Sequence, residues 1–139
     1  MHNNYTPWTV NIEDFWKLKT DFDKLRFLIG FGILAPSTHN SQPWKFKIES
    51  NTISILPNLQ RSLPISDTEN RHLYIGLGCA LENLVIAAEY FGYRTVVDDL
   101  RVTLTKSSEP KKNGVLIDAI LERRSNRNPY SSKVPDQAV

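Results

Sequence analysis

The sequence predicts an α+β fold in which helices pack on a small antiparallel sheet. Residues 44–49 alternate apolar and polar side chains, with the period of two that a half-buried strand requires. Residues 69–91 are apolar almost all round a helix, which predicts a long buried central helix. A chain of 139 residues forms one domain and can bury a core of its own.

The first two predicted elements are helices. Residues 12–19 have helical spacing, and Asn11 is the expected N-cap. A second helix is predicted over residues 21–35, with Thr20 at its start and Pro36 as its stop, because proline lacks the N–H that a helix needs. Its apolar stripe comprises Leu25, Leu28, Ile29, Gly32 and Ile33.

The predicted sheet consists of two hairpins. Residues 44–56 form the first, with a turn at Ser50-Asn51. Residues 94–97 and 101–105 are short β-branched runs that form the second hairpin or two edge strands. Between the hairpins, residues 57–68 are a connecting loop with two prolines.

The central helix is predicted to begin at a capping box, Ser66-x-x-Glu69, and to end at Gly92. Gly76 and Gly78 are expected to allow close packing of this helix. A helix so apolar is hard to bury within 139 residues, so a subunit interface is expected to cover part of it. Its main stripe comprises Leu73, Leu77, Leu81, Leu84, Ala88 and Phe91, and the next predicted helix, over residues 115–121, turns Ile117, Ile120 and Leu121 inward.

Composition excludes several classes of protein. Seventeen basic and fifteen acidic residues give a net charge of +2, which does not predict nucleic-acid binding. No apolar run reaches the roughly 18–20 residues of a membrane span, and no secretory signal precedes Trp8. With a single cysteine, Cys79, the chain forms no internal disulfide, so a cytoplasmic location is expected.

The common metal and phosphate motifs do not occur. The three histidines fit no HExxH pattern, and one cysteine provides no CxxC pair, so no zinc site is predicted. There is no GxxxxGK[ST] loop, and the glycines at 76 and 78 lie inside a helix, away from any strand–turn–helix context. Cys79 is interpreted as an inert, buried thiol.

Two segments contain residue types that suit ligand binding, and we call them the chemical segments. The first, APSTHNSQPW at residues 35–44, is a polar, proline-bracketed loop between a helix and a strand. Its hydroxyls, amide and backbone N–H groups suit a planar, hydrogen-bonding ligand, although the same residues are ordinary in a helix-stopping turn. The second, residues 123–127, holds three arginines and a serine, which suit an anion such as phosphate or form a solvated basic tail.

Together these segments resemble the nitroreductase family of flavoproteins. The decapeptide 35–44 is similar to the signature that follows the family's early helix. Arg123-x-Ser125-x-Arg127 is similar to its Arg-x-Ser-x-Arg motif, and residues 67–92 resemble the long helix of its dimer core. The resemblance implies a nitroreductase-like fold, FMN as cofactor, and hydride transfer from NAD(P)H to nitro-aromatics or quinones.

The resemblance also implies the roles of individual residues. Those expected to line the flavin ring are Pro36, Ser37, Thr38 and Asn40. Arg123, Ser125 and Arg127 are expected to hold the phosphate. No residue is identified as an obligatory acid or base, because the redox chemistry belongs to the flavin.

The order of the two motifs resembles the Acg-type branch, in which one chain carries two nitroreductase-like halves. On this interpretation residues 1–20 are an extension, 21–113 are a first half, and 114–139 are the start of an incomplete second half. Three functions stay open: a flavin oxidoreductase, a non-catalytic FMN-binding or storage protein, and a cofactor-free assembly module. A homodimer through the 69–91 helix is expected.

Overall fold

The structure, a computed structural model, describes residues 9–107 and 114–125. A four-stranded antiparallel sheet, in the order β1-β2-β4-β3, lies against helices. This confirms the predicted α+β class. In chain order the helices and strands are α1 (Asp21–Gly32), β1 (Trp44–Glu49), β2 (Thr52–Pro57), α2 (Arg71–Tyr90), β3 (Tyr93–Asp98), β4 (Arg101–Lys106) and α3 (Val115–Glu122).

The N-terminal segment is part of the core. A short 3-10 helix, Ile12–Lys17, is capped by the Asn11 side chain, which accepts from Glu13 N as the sequence predicts. Phe15 is buried and stacks on Phe91, with ring centroids 4.1 Å apart. This stacking ties the start of the described chain to the end of α2.

Helix α1 begins as predicted and ends earlier. The Thr20 hydroxyl accepts from Asp23 N at 3.0 Å, the contact expected of a threonine N-cap. The helix ends at Gly32, and single turns then carry the chain to Ala35, where Leu34 N and Ala35 N donate to carbonyls three residues back. The α-helix therefore ends three residues before the predicted end at Ala35. The residues between Gly32 and Pro36 form single turns with hydrogen bonds to carbonyls three residues back.

Both predicted hairpins form, and the two β-branched runs make a hairpin rather than two separate edge strands. Strands β1 and β2 pair in one unbroken register, from Trp44 opposite Pro57 to Glu49 opposite Thr52. Strands β3 and β4 pair from Tyr93 opposite Lys106 to Asp98 opposite Arg101. The hairpins join through a short β2–β4 contact, so β1 and β3 become the sheet edges.

Helix α2 is the centre of the molecule, and its predicted capping box is wrong. It begins at Arg71, after Asn70 with φ 56°, and Ser66 lies outside the cap. The Asp67 carboxylate instead accepts from the first turn of the helix. The buried residues of α2 comprise Leu73, Gly76, Leu77, Ala80, Leu84, Ala87 and Ala88, which confirms the central stripe apart from Leu81, a half-buried side chain.

By length and composition, α2 is also apolar enough to cross a membrane, the one such helix among the described residues. Its packing explains that composition, because α1, α3 and the sheet all contact it. Core helices of globular proteins pass the same test. Helix α3 lies on α2 through Ile117 and Ile120, as the sequence predicts, so residues 114–122 share the core of the preceding segment.

Candidate functional site

The Pro-Ser loop, which we define as residues 36–43, has an unusual backbone. Its middle is a single 3-10 turn, Thr38–Asn40. Three of its non-glycine residues have positive φ: His39 at 52°, Asn40 at 54° and Gln42 at 47°. Such angles are uncommon for residues with a Cβ, and they concentrate at ligand clamps and active sites.

Hydrogen bonds within the loop hold this conformation. The Ser37 hydroxyl accepts from Gln42 N at 2.9 Å, across the whole turn. Asn40 N donates to Ser37 O at 2.9 Å, and Ser41 N donates to Thr38 O at 3.0 Å. Ser37 therefore stabilises the loop conformation through a hydrogen bond within the loop. From the sequence, Ser37 is expected only to line the flavin ring.

The side chains of the loop divide into outward and inward sets. His39 and Asn40 are exposed, while Ser37 and Thr38 are half-buried. Pro43 is buried and begins the approach to β1. The loop thus presents an imidazole and an amide to solvent, with hydroxyls behind them.

Helix α2 forms the floor beneath the loop at Gly76. A Cβ added at Gly76 would lie 3.7 Å from the Pro36 carbonyl oxygen and 3.8 Å from Ser37 Cβ. The predicted close packing at Gly76 is thus confirmed, against the loop. Within one copy of the chain Gly78 has no such packing, because an added Cβ would meet nothing within 4 Å.

A buried carboxylate at the start of α2 lies across a cavity from the loop. Asp67 is buried, and its oxygens accept from His72 N at 3.1 Å and Leu73 N at 2.9 Å. Its Oδ1 also lies 3.4 Å from His72 Nδ1. Burial alone would raise the pKa of Asp67, but these backbone donors and the nearby imidazole together lower it below its ordinary value.

The Pro-Ser loop and Asp67 share a narrow cavity. Thr38 and Ser41 line it from the loop, and Arg61, Asp67 and His72 line it from the other side. The Arg61 guanidinium donates to the Ser41 carbonyl at 3.3 Å. Sequence reasoning missed Arg61 and Asp67, since both lie in a segment without regular periodicity.

The arginine segment reaches the same region. Arg123 Nη2 donates to the Leu34 carbonyl at 3.0 Å, two residues before Pro36. One bond thus joins the end of α3 to the end of α1, where carbonyl groups lack helical partners. The second chemical segment therefore begins beside the first.

The other residues of the arginine segment are less involved. Arg124 donates to the carbonyls of Leu121 and Arg123, so it caps the end of α3. Ser125 is exposed, and Arg127 lies outside the described residues. The phosphate role of Arg123, Ser125 and Arg127 stays a prediction.

The donor set of the loop fits a flavin ring edge. The amide of Asn40 and the hydroxyl of Thr38 can both donate and accept, as the edge of a planar heterocycle requires. No cluster of three metal-ligating side chains occurs within residues 9–107 and 114–125. The site therefore consists of hydrogen-bonding side chains on a loop whose backbone is held by its own hydrogen bonds.

Comparison with known proteins places these features in context. No protein-family model matches the chain. A Mycobacterium tuberculosis protein named "Putative NAD(P)H nitroreductase Rv3131" is 26% identical over 121 residues, which cover 80% of this chain and 35% of that protein. Another from the same organism, "Putative NAD(P)H nitroreductase acg", is 28% identical over 120 residues, covering 78% and 36%.

A third M. tuberculosis relative, "Uncharacterized protein Rv3127", is 30% identical over 120 residues, covering 70% of this chain and 33% of that protein. The chain therefore spans about a third of the length of each of these relatives. The similarity extends across most of the present chain, well beyond the Pro-Ser loop.

Proposed function

Because the chain belongs to the nitroreductase family, we propose that it forms the part of an FMN-dependent oxidoreductase that supplies the Pro-Ser loop to the flavin. The observation that carries the proposal is the clamped loop itself. Three of its residues have positive φ, the Ser37 hydroxyl accepts from Gln42 N, and the loop packs over the helical floor at Gly76. Strain of this kind persists where the surroundings fix it, as in a preorganised site.

The residues of this chain would bind and orient the cofactor. Thr38 and Asn40 would hydrogen-bond the ring edge, Pro36 would pack against it, and Ser37 would keep the loop in shape. Arg123, Ser125 and Arg127 would hold the phosphate. When bound, FMN supplies hydride transfer between NAD(P)H and a nitro-aromatic or quinone acceptor.

Arg123 has a second task in this arrangement. Its bond to the Leu34 carbonyl fixes the distance between the arginine segment and the Pro-Ser loop. A guanidinium has five donors, so a phosphate contact and a carbonyl contact are chemically compatible. Arg123 would therefore position the loop as well as bind the anion.

The rest of the pocket would come from elsewhere. We propose a second copy, docked on the exposed side of α2, or further sequence of the same protein as its source. That side of α2 carries Ile75, which is 51% exposed, and Gly78, which faces open space. An exposed apolar side chain that lies one helical turn from a glycine suits the close approach of a second helix.

The test is the visible absorbance of purified protein before and after FMN is added and the excess is removed by desalting. Retained flavin bands, followed by NAD(P)H oxidation with a quinone, would support the oxidoreductase. Retained flavin without turnover would instead indicate a binding or storage protein. A colourless protein after desalting would contradict flavin binding by this chain and leave the assembly module.

A further inference from the structure

Strand β3 is an edge strand with an apolar middle between charges of opposite sign. The strand order leaves β3 with β4 as its one neighbour in the described part of the sheet. Two of its valines are exposed, Val96 by 63% and Val97 by 49%, and they point to opposite faces. The other edge, β1, carries exposed Lys45 and Lys47, the type of residue that discourages edge pairing.

The hydrogen-bond pattern shows which groups of β3 face outward. Ser107 N donates to Gly92 O at 2.9 Å, so the carbonyl of Gly92 points toward β4. In an antiparallel ladder this direction alternates along the strand. The backbone groups of Arg94, Val96 and Asp98 therefore point to β4, and those of Tyr93, Thr95 and Val97 point to the open edge.

This alternation limits how a second β3 could pair with the edge. In an antiparallel pair of identical strands, outward-pointing residues must stand opposite outward-pointing residues. The registers centred on Thr95, Val96 and Val97 satisfy that condition. The Thr95-centred register places Arg94 opposite valine, and the Val97-centred register places Asp98 opposite valine.

The Val96-centred register is the one with complementary charge. It places Val96 opposite its own copy and Arg94 opposite Asp98 of the second copy, twice by symmetry. All of these side chains share one face, because they alternate at every second position. Opposite charges that face each other across strands stabilise a pair, whereas like charges destabilise it.

We propose that β3 pairs antiparallel with β3 of a second copy of this chain, about a twofold axis at Val96, to make one sheet continuous across both copies. This interface is separate from the proposed docking side of α2. It depends on neither FMN nor catalysis. Its failure would therefore leave the proposed function intact.

The test is sedimentation of the whole 139-residue chain across a range of concentrations, with Ile75→Glu present so that the α2 side does not contribute. Ile75→Glu alone should still dimerise. Adding Arg94→Asp places two acidic pairs at the interface and should raise the midpoint concentration of dimerisation at least tenfold. Adding Asp98→Arg as well should restore the midpoint.

Val96→Lys provides a second route, since Val96 is exposed and its replacement should not disturb the fold. It places two lysines together at the axis and should also raise the midpoint concentration of dimerisation at least tenfold, while thermal melting stays unchanged. Ile75→Glu protein that is monomeric at every concentration would overturn the proposal. So would an unchanged midpoint in both Arg94→Asp and Val96→Lys.

Discussion

At the scale of single residues, Asp67 determines where the central helix begins. The capping-box rule selects Ser66 as the start of this helix. The structure uses Asp67 instead. Its carboxylate lies four positions before Arg71 and accepts hydrogen bonds from His72 N and Leu73 N. Between Asp67 and the helix, Asn70 has a φ of 56°, and a rule based on spacing alone does not detect this turn.

Asp67→Asn should lower the stability of the fold at neutral pH, because an amide accepts more weakly than a carboxylate. Since the folded pKa of Asp67 lies below its unfolded value, its contribution is complete above about pH 4 and is lost as the pH falls through the folded pKa. Urea unfolding across acidic and neutral pH would measure this, with Glu69→Gln as the control for loss of a carboxylate. A difference from wild type that stays constant down to the lowest pH would contradict the assignment.

At the scale of elements, short-range patterns predicted most of the structure. Alternation predicted the first hairpin and β-branched runs predicted the second. Helical spacing predicted most of the buried residues of α1 and α3 but missed the buried Phe31. The pattern treated Gly76 and Gly78 alike, since both interrupt the same apolar helix. Only the three-dimensional position of the Pro-Ser loop distinguishes them.

The two glycines form a matched pair of substitutions. Gly76→Leu should force the side chain into Pro36 and Ser37, at a cost of about 1–3 kcal/mol in the free energy of unfolding. Gly78→Leu should be neutral or slightly stabilising, because its Cβ meets open space and leucine favours helix over glycine. Thermal unfolding of both variants would measure the contrast, and equal losses at both positions would refute the floor role of Gly76.

The exposed side of α2 gives a second prediction at this scale. Ile75→Glu should weaken self-association through α2 without loss of fold, because half of the side chain is already exposed. Light scattering during gel filtration would measure the mass of the assembly, with Glu82→Gln, an exposed residue further along α2, as the control. An assembly of unchanged mass in Ile75→Glu would rule out docking through this side.

At the scale of the whole molecule, long-range contacts bring the two chemical segments together. Arg123 and Leu34 are 89 residues apart in sequence, and their hydrogen bond places α3 beside the end of α1. Adjacent strands β2 and β4 are likewise distant in sequence. Local patterns predict neither contact, because each depends on how helices and hairpins pack rather than on the residues within one of them.

The central claim is that the Pro-Ser loop is a preorganised flavin cradle, and an FMN titration tests it most directly. Flavin fluorescence would be followed for wild type, Ser37→Ala and Ser66→Ala, the last being an exposed serine outside the loop. Losing the bond from Gln42 N to the Ser37 hydroxyl should weaken FMN binding about fivefold, since one hydrogen bond contributes roughly 1 kcal/mol. Ser66→Ala should match wild type, whereas Ser37→Ala with wild-type FMN affinity would contradict the account.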